Sequence, residues 1–525
     1  IIVWVVRQKQ NDSADYFLGG RDATWLAIGA SIFASNIGSE HLIGLAGAGA
    51  SSGMAMAHWE IQGWMILILG WVFVPFYTRS MVYTMPEFLE RRYNPQSRTI
   101  LSVISLVSYV LTKVAVTVYA GGLVFQQVFG IKELWGIDFF WIAAIGLVVL
   151  TALYTIFGGM KSVLYTSVLQ TPILLLGSLI ILVLGFKELG GWDEMMRVCG
   201  AVTVNDYGDT MTNLIRSNDD ANFPWLGALI GSAIIGFWYW CTDQFIVQRV
   251  LSGKNEMEAR RGTIFGAYLK LLPVFLFLIP GMIAFALHQK YIGAGGEGFL
   301  PMLANGTANA DAAFPTLVAK LLPAGVKGLV VCGILAALMS SLASLFNSSA
   351  MLFTIDFYKR FRPETPEKKL VGIGQVIVIL GILWIPIMRS VGDVLYTYLQ
   401  DVQSVLAPGI AAAFLLGICW KRTSAQGGMW GLIAGMVIGL TRLGAKVYYS
   451  NAGEVADSTF KYLFYDMNWL FFCGWMFLFC IIVVIVVSLA TEAPTAEKIQ
   501  GLVFGTATKE QKASTRASWN HWDII

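Results

Sequence analysis

The sequence predicts an all-α polytopic membrane protein whose core is two successive groups of five helices, each opening on a helix interrupted in mid-membrane. Three observations predict it. Of 525 residues, 56% are hydrophobic and only 13% charged, about half the charged share of an ordinary soluble protein. Apolar runs of roughly 18 residues or more recur along the whole length, each long enough to cross about 30 Å of hydrocarbon as a helix. Lys and Arg fall between alternate runs, in Arg7 to Arg21, Arg79 to Arg98, Arg249 to Arg261, Tyr358 to Lys369 and Trp420 to Thr423. By the positive-inside rule these loops are cytoplasmic. The loops Lys187 to Phe223 and Gln289 to Ala313 are then external.

With those anchors about twelve full spans are expected, at 24–50, 59–78, 99–129, 138–157, 163–186, 224–247, 263–287, 324–353, 371–389, 394–418, 427–446 and 466–490. The first contains "SNIGSEH" and the sixth "GFWYWCTDQ", polar and small residues at corresponding places in the groups 24–186 and 224–418. Five is odd, so the second group enters the membrane with the opposite orientation, the pattern of an inverted repeat with a midplane site. Irregular backbone at that depth is tolerated where the freed N–H and C=O groups line a cavity. Glycines alone would also allow close helix packing, but that leaves Asn36, Glu40 and His41 unaccounted for.

Around these groups lie residues 1–23, with "IIVWVV" reading as the tail of a cut-off helix, an external loop 187–223, further helices in 419–490 and a cytoplasmic segment 491–525. The closing "HWDII" is where another span could begin. The six cysteines are scattered without metal-type pairing, and the buried ones read as packing residues.

Ionisable residues within spans cost at least about 2.5–3.5 kcal/mol each, so they face a cavity or a partner. They are Glu40, His41, Glu60, Lys113, Asp243 and Lys270; Arg79, Glu87 and Lys161 sit at span ends and read as interface residues. Trp59 beside Glu60, "WYW" at Trp238 to Trp240 and "LYTYLQ" ending at Gln400 add rings and an amide. Carboxylates, ammonium, amide and flat rings together suit a neutral polyhydroxylated ligand. In "ALMSSLASLFNSSAML" the hydroxyls of Ser340 and Ser341 lie one turn beyond Ala337, an oxygen-only set that fits a weakly held cation such as Na⁺; serines that bond back to their own helix offer the plainer reading. No phosphate loop, zinc pair or nucleophile elbow is present, so an enzyme is not expected. A net charge of +3 with no basic patch gives no reason to expect nucleic acid.

The runs "DYFLGGRDATWLAIGASIFASNIGSEHLIGLAG", "LYTIFGGMKSVLYTSVLQT", "WYWCTDQFIVQRVLSGKN", "YLKLLPVFLFLIPGMI", "LMSSLASLFNSSAMLFTIDFY" and "APGIAAAFLLGICWKR" resemble the sodium/glucose cotransporter branch of the solute:sodium symporters. The resemblance implies an amino-acid/sodium symporter-like fold, fourteen helices in the complete protein, and Na⁺-coupled import of a hexose such as glucose or galactose across the plasma (inner) membrane. Carried over by position, the solute contacts would be Asn36, His41, Glu60, Tyr239, Trp240, Lys270 and Gln400. Leu45, Trp59 and Tyr396 would form the outer gate, and Tyr239 or Trp240 the inner one. Na⁺ would sit on carbonyls of Ala34, Ile37 and Ala337 with the hydroxyls of Ser340 and Ser341. Ser167 and Ala343 stand where members with a second Na⁺ site carry an aspartate and a hydroxyl, so one Na⁺ per solute is expected. Thr397 replaces an aspartate of human-type sugar transporters, and myo-inositol or another small polar solute is the alternative cargo. A sugar-gated sensor or channel on the same site is the alternative activity.

Overall fold

The computed structural model describes residues 12–38, 40–303, 306–380, 395–451 and 456–524, without the side chains of residues 61, 110–112, 115, 375, 377–380, 395–401 and 451. The first core helix breaks where the polar residues fall. Helix α1, Trp25–Asn36, ends as Ile37 leaves helical geometry (ψ 81°) and the Gly38 amide donates to the Asn36 carbonyl at 3.0 Å. That amide would otherwise close a regular turn on Ala34. A π-helical turn, Glu40–Leu45, restarts the helix and α2, Ala46–Ser52, completes it. Gly53, at φ 74°, then turns the chain toward α3, Ala57–Ile61, which carries Trp59 and Glu60.

The second interruption has the same form. Helix α4, Val74–Ser80, is followed by α5, Pro95–Ser108, and α6, Ala115–Phe129, with a π turn at Tyr109–Val114 between the last two. Then comes α7, Phe139–Leu189. The fourth and fifth expected spans meet inside it without a loop: Gly159, at φ 53° and ψ −151°, makes the bend alone, and a Cβ there would fall 2.5 Å from the Tyr16 carbonyl oxygen. Helix α8, Trp225–Gly236, runs through the π turn Phe237–Thr242 to an extended Asp243, whose side chain caps α9, Gln244–Leu251. So both groups open on a broken helix, as the polar interruptions predict.

Helix α10, Glu256–Leu269, and α11, Ile279–Gly293, divide the seventh expected span around Lys270. Helix α12, Ala324–Met351, continues through a π turn to Phe361, about two turns past the expected end. Then follow α13, Glu367–Leu380, α14, Leu395–Cys419, α15, Ala425–Asn451, and α16, Trp469–Ala490. The ninth expected span, 371–389, runs beyond the described residues. Among those described, eight helices are long and apolar enough to cross a membrane, and Trp25–Asn36 and Val116–Phe129 are shorter apolar pieces of broken spans.

Small residues let these helices approach closely. Gly49 of α2 and Gly281 of α11 face one another's backbones: a Cβ on Gly281 would lie 2.0 Å from the Ala46 carbonyl oxygen. Helices α1 and α10 meet as tightly through Gly29 and Gly262. On the face away from the basic loops the turn Ala310–Ala312 lies over α2, with Asp311 Oδ1 only 2.7 Å from where a Gly47 Cβ would sit. Burial pushes the Asp311 carboxyl up from 3.8 to about 6.

Two outcomes follow. Gly281→Val costs about 1–3 kcal/mol or more through overpacking, read as a lowered Tm in detergent, whereas Gly293→Ala, with open space around it, leaves Tm unchanged. Because its pKa is raised in the packed arrangement, Asp311 favours that arrangement below about pH 4, and this contribution is lost as pH rises through about 6. Spin-label distances between α2 and residues 310–312 lengthen across that window, and Asp311→Asn abolishes the change.

Candidate functional site

The restarted first helix, α3 and the break after α10 bring three charged or polar groups together. Lys270 Nζ lies 2.6 Å from Glu60 Oε2 and 2.5 Å from His41 Nε2, and His41 Nε2 lies 3.4 Å from Glu60 Oε1. Donation from the ammonium makes Nε2 an acceptor, which assigns the ring proton to Nδ1. All three residues are buried. Removing one member of such a group leaves an uncompensated buried charge, at a cost of about 3–5 kcal/mol. Lys270 also sits 5.7 Å from the centroid of the Trp240 ring, a cation–π distance. The Cβ position of Gly63 lies 2.5 Å from Lys270 Cγ, so the glycine makes room for the lysine stem.

A second contact joins the two interruptions themselves. Asn36 Nδ2 donates to the Tyr239 hydroxyl at 2.9 Å. Tyr239 and Trp240 stand edge to face, with centroids 4.9 Å apart. Two cavities adjoin this bar. One is lined by the Glu60 group together with Asn36, Glu40, Trp59, Tyr239, Trp240 and Gln403. The other is lined by Asn36, Gly38, Glu40, Lys113, Tyr239 and Ser341 among others. Asn36, Glu40 and Tyr239 belong to both. Five buried polar atoms of the residues lining the first cavity have no hydrogen-bond partner among the described residues: Asn36 Oδ1, His41 Nδ1, Glu60 Oε2, Trp240 Nε1 and Gln403 Nε2. Glu60 Oε2 is ion-paired with Lys270; of the other four, one accepts and three donate, so the cavity offers open positions to a ligand rich in hydroxyls.

Lys113 and Asp243, singled out in the sequence as membrane-embedded charges, pair at 2.5 Å. The Tyr109 hydroxyl donates to the same carboxylate. Lys113 Nζ is 4.6 Å from the Tyr239 ring centroid, so the pair also braces the bar. Lys113 is thus paired within the bundle and also lines the second cavity. Arg249 of α9 donates to Ser31 and Ser35 of α1 at 3.1 Å each and to the Phe245 carbonyl. Glu40 is half-buried and lines both cavities, consistent with a lining carboxylate.

The oxygen-rich part of α12 meets the first break. Ser341 Oγ donates to the Ser35 carbonyl at 2.6 Å, and a Cβ on Gly38 would fall 2.5 Å from that hydroxyl. Ser340 Oγ lies 3.2 Å from Ser167 Oγ on α7, and Ser344 Oγ 2.9 Å from Ser35 Oγ. Of the two hydroxyls expected at the break, Ser341 therefore touches it, while Ser340 is turned toward Ser167. The Ala34 carbonyl has lost its regular amide donor to the Asn36 carbonyl, and Ala337 lies one turn before Ser341 on α12. Ala343 is buried and Ser167 bonds back to Val163 at 2.6 Å, so neither position brings a carboxylate or a free hydroxyl.

Of the gate residues, Leu45 is buried in the π turn and Trp59 packs on Trp469 at 5.4 Å. The side chains of Tyr396, Thr397 and Gln400 lie outside the described residues. Gln403 was missed by the sequence reading. It stands three residues, one helical turn, beyond Gln400 in "LQDVQ", and an i, i+3 pair of amides was the available signal.

Residues 16–435 match the model of the sodium:solute symporter family. The chain is 37% identical over 518 residues to the human sodium/myo-inositol cotransporter 2, covering 95% of this chain and 76% of that protein. It is 37% identical over 525 residues to the dog sodium/myo-inositol cotransporter, covering 95% and 72%. Among solved structures it superposes on a Na⁺-coupled sialic acid symporter in a substrate-bound outward-open state, with TM-score 0.73 and 21% identity over 94% of this chain and 96% of that one. It also superposes on MhsT in complex with L-phenylalanine, with TM-score 0.53 and 13% identity over 89% and 99%. A family match across most of the chain, joined to two broken helices around a buried polar cavity, leads to one conclusion: the chain belongs to the sodium:solute symporter family.

Proposed function

We propose that the protein carries a small neutral cyclic polyol, myo-inositol ahead of a hexose, through the cavity beside the Asn36–Tyr239 bar. The protein is a Na⁺-coupled solute symporter of the plasma membrane and not an enzyme. The observation that carries the solute reading is the set of unpartnered buried atoms, Asn36 Oδ1, His41 Nδ1, Trp240 Nε1 and Gln403 Nε2, at the Glu60–His41–Lys270 group. Formal charges lining the two cavities balance, with Glu40 and Glu60 against Lys113 and Lys270. A balanced site favours a neutral solute over a carboxylate. The named relatives lean the choice toward myo-inositol; glucose and galactose present the same hydroxyls and a C–H face to Trp240, and remain the second reading.

In this reading His41, Glu60, Lys270 and Trp240, with Gln400 and Gln403 of α14, contact the solute. Tyr239, held by Asn36, closes the inner side; Leu45, Trp59 and Tyr396 close the outer side. One Na⁺ binds where Ser341 meets the break, using carbonyls of Ala34, Ile37 and Ala337 with Ser341 and Ser340 hydroxyls. It ties α1 to α12, which holds the polar lining in place for the solute, and bound solute favours closure of the outer side. One Na⁺ moving down 100 mV supplies about 2.3 kcal/mol, roughly a fifty-fold accumulation.

Uptake of labelled myo-inositol, glucose and galactose into proteoliposomes tests the reading. A Na⁺ gradient is expected to drive accumulation of myo-inositol, with the lowest KM of the three. A lower KM for glucose reverses the order of cargo. Na⁺-dependent current without accumulation supports a sensor or channel instead. Gln403→Leu is expected to raise the solute KM about tenfold, the worth of a hydrogen bond or two, with the Na⁺ half-saturation unmoved. Ser341→Ala is expected to do the reverse, raising the Na⁺ half-saturation about tenfold. A Na⁺ response unchanged in Ser341→Ala removes the ion-site assignment.

A further inference from the structure

The segment after α16 folds back across the face that carries the basic loops, which the positive-inside rule assigns to the cytoplasm. Lys498 Nζ donates to the Glu90 carbonyl at 2.8 Å and the Phe504 amide to the Ile418 carbonyl at 2.7 Å. Helix α17, Lys509–Ala517, and the turn after it reach further. Ser518 Oγ contacts Glu256 at 3.2 Å, Trp519 packs on Trp71 at 5.6 Å, and Asp523 pairs with Arg261 at 2.7 Å. Between the end of α4 and this strap lies an open cavity.

Its lining is cationic and rich in donors: Arg79, Arg91, Lys498, Gln500, Gln511 and Ser80, with Glu497 as the one carboxylate. Arg79 and Lys498 make no ion pair among the described residues. Arg79 donates to the Gln511 carbonyl at 3.4 Å and to the Thr515 hydroxyl, while its Nε is buried without a partner. Lys498 has the Glu90 carbonyl. Two neighbouring carboxylates are engaged elsewhere, Glu90 with Arg98 at 2.6 Å and Glu256 with Arg260 at 2.8 Å, while Glu87 pairs with the lining Arg91 at 3.0 Å. Two partly buried cations without an ion-pair partner, a third paired with Glu87 and two side-chain amides, against the one carboxylate of Glu497, form a multidentate oxyanion site.

We infer that this cavity binds a phosphomonoester-type anion, free or as a lipid headgroup, and that the bound anion clamps the strap onto the end of α4. The inference does not depend on which solute is carried. Hydrogen–deuterium exchange on the full chain in detergent tests it, comparing sodium phosphate with sodium chloride at matched ionic strength and Na⁺. Phosphate near ten times its dissociation constant is expected to slow exchange of amides in 497–515 about tenfold. Lys498→Gln, which loses one carbonyl contact and leaves Na⁺-dependent uptake unchanged, is expected to lose that protection. Nanodiscs of phosphatidylcholine with and without phosphatidic acid separate the sources. Protection by phosphatidic acid alone assigns the headgroup; protection by inorganic phosphate assigns the free anion. Equal exchange in phosphate, chloride and both nanodiscs, or full protection retained in Lys498→Gln, overturns the inference.

Discussion

The hydrogen bond from Asn36 to Tyr239 joins the two places where the membrane helices come apart, and the rest of the core is arranged around it. Hydrocarbon offers no water to an unpaired backbone, so each break must be satisfied from within the protein. At the first break Ser341 takes the Ser35 carbonyl and Gly38 turns its amide to Asn36; at the second, Asp243 caps the helix that follows. The groups that repair the first break, Asn36, Gly38 and Ser341, are thus among those that line the cavities. Structure and site have one origin.

Charge balance sets what the cavities can hold. Each buried carboxylate named in the two networks has a cation on it, Glu60 with Lys270 and Asp243 with Lys113. These pairs come from different helices, so they hold the backbone of the bundle in register while using up their own charge. What is left to a solute is directional hydrogen bonding and ring surface, a chemistry that distinguishes hydroxyl patterns better than it attracts ions. Small residues make the geometry possible, because Gly49, Gly281, Gly29 and Gly262 let the broken helices lie against their neighbours at backbone distance.

Much of this was legible in the chain. Mid-membrane polar residues are costly enough to mark function, so Asn36, His41, Glu60, Tyr239, Trp240 and Lys270 stood out, and the structure brings them to one cavity. Gln403 did not stand out, since one glutamine on an apolar helix is ambiguous until its neighbours are known. The two serines of α12 were read as a pair, but successive residues point about 100° apart on a helix, and packing turned Ser340 to Ser167 and Ser341 to the break. The loop expected between the fourth and fifth spans contracted to a bend at Gly159, because hydropathy registers polar spacing and not backbone geometry.

The sequence by itself determined the class of protein, the position of the breaks and the types of group near them, because burial in lipid penalises polar residues wherever they lack a purpose. Tertiary structure alone decided the partners: that Lys270 meets Glu60 and Lys113 meets Asp243, not the reverse, and that the C-terminal segment covers Arg79. Pairing depends on distances between helices far apart in the chain, and periodicity within one helix carries no information about them.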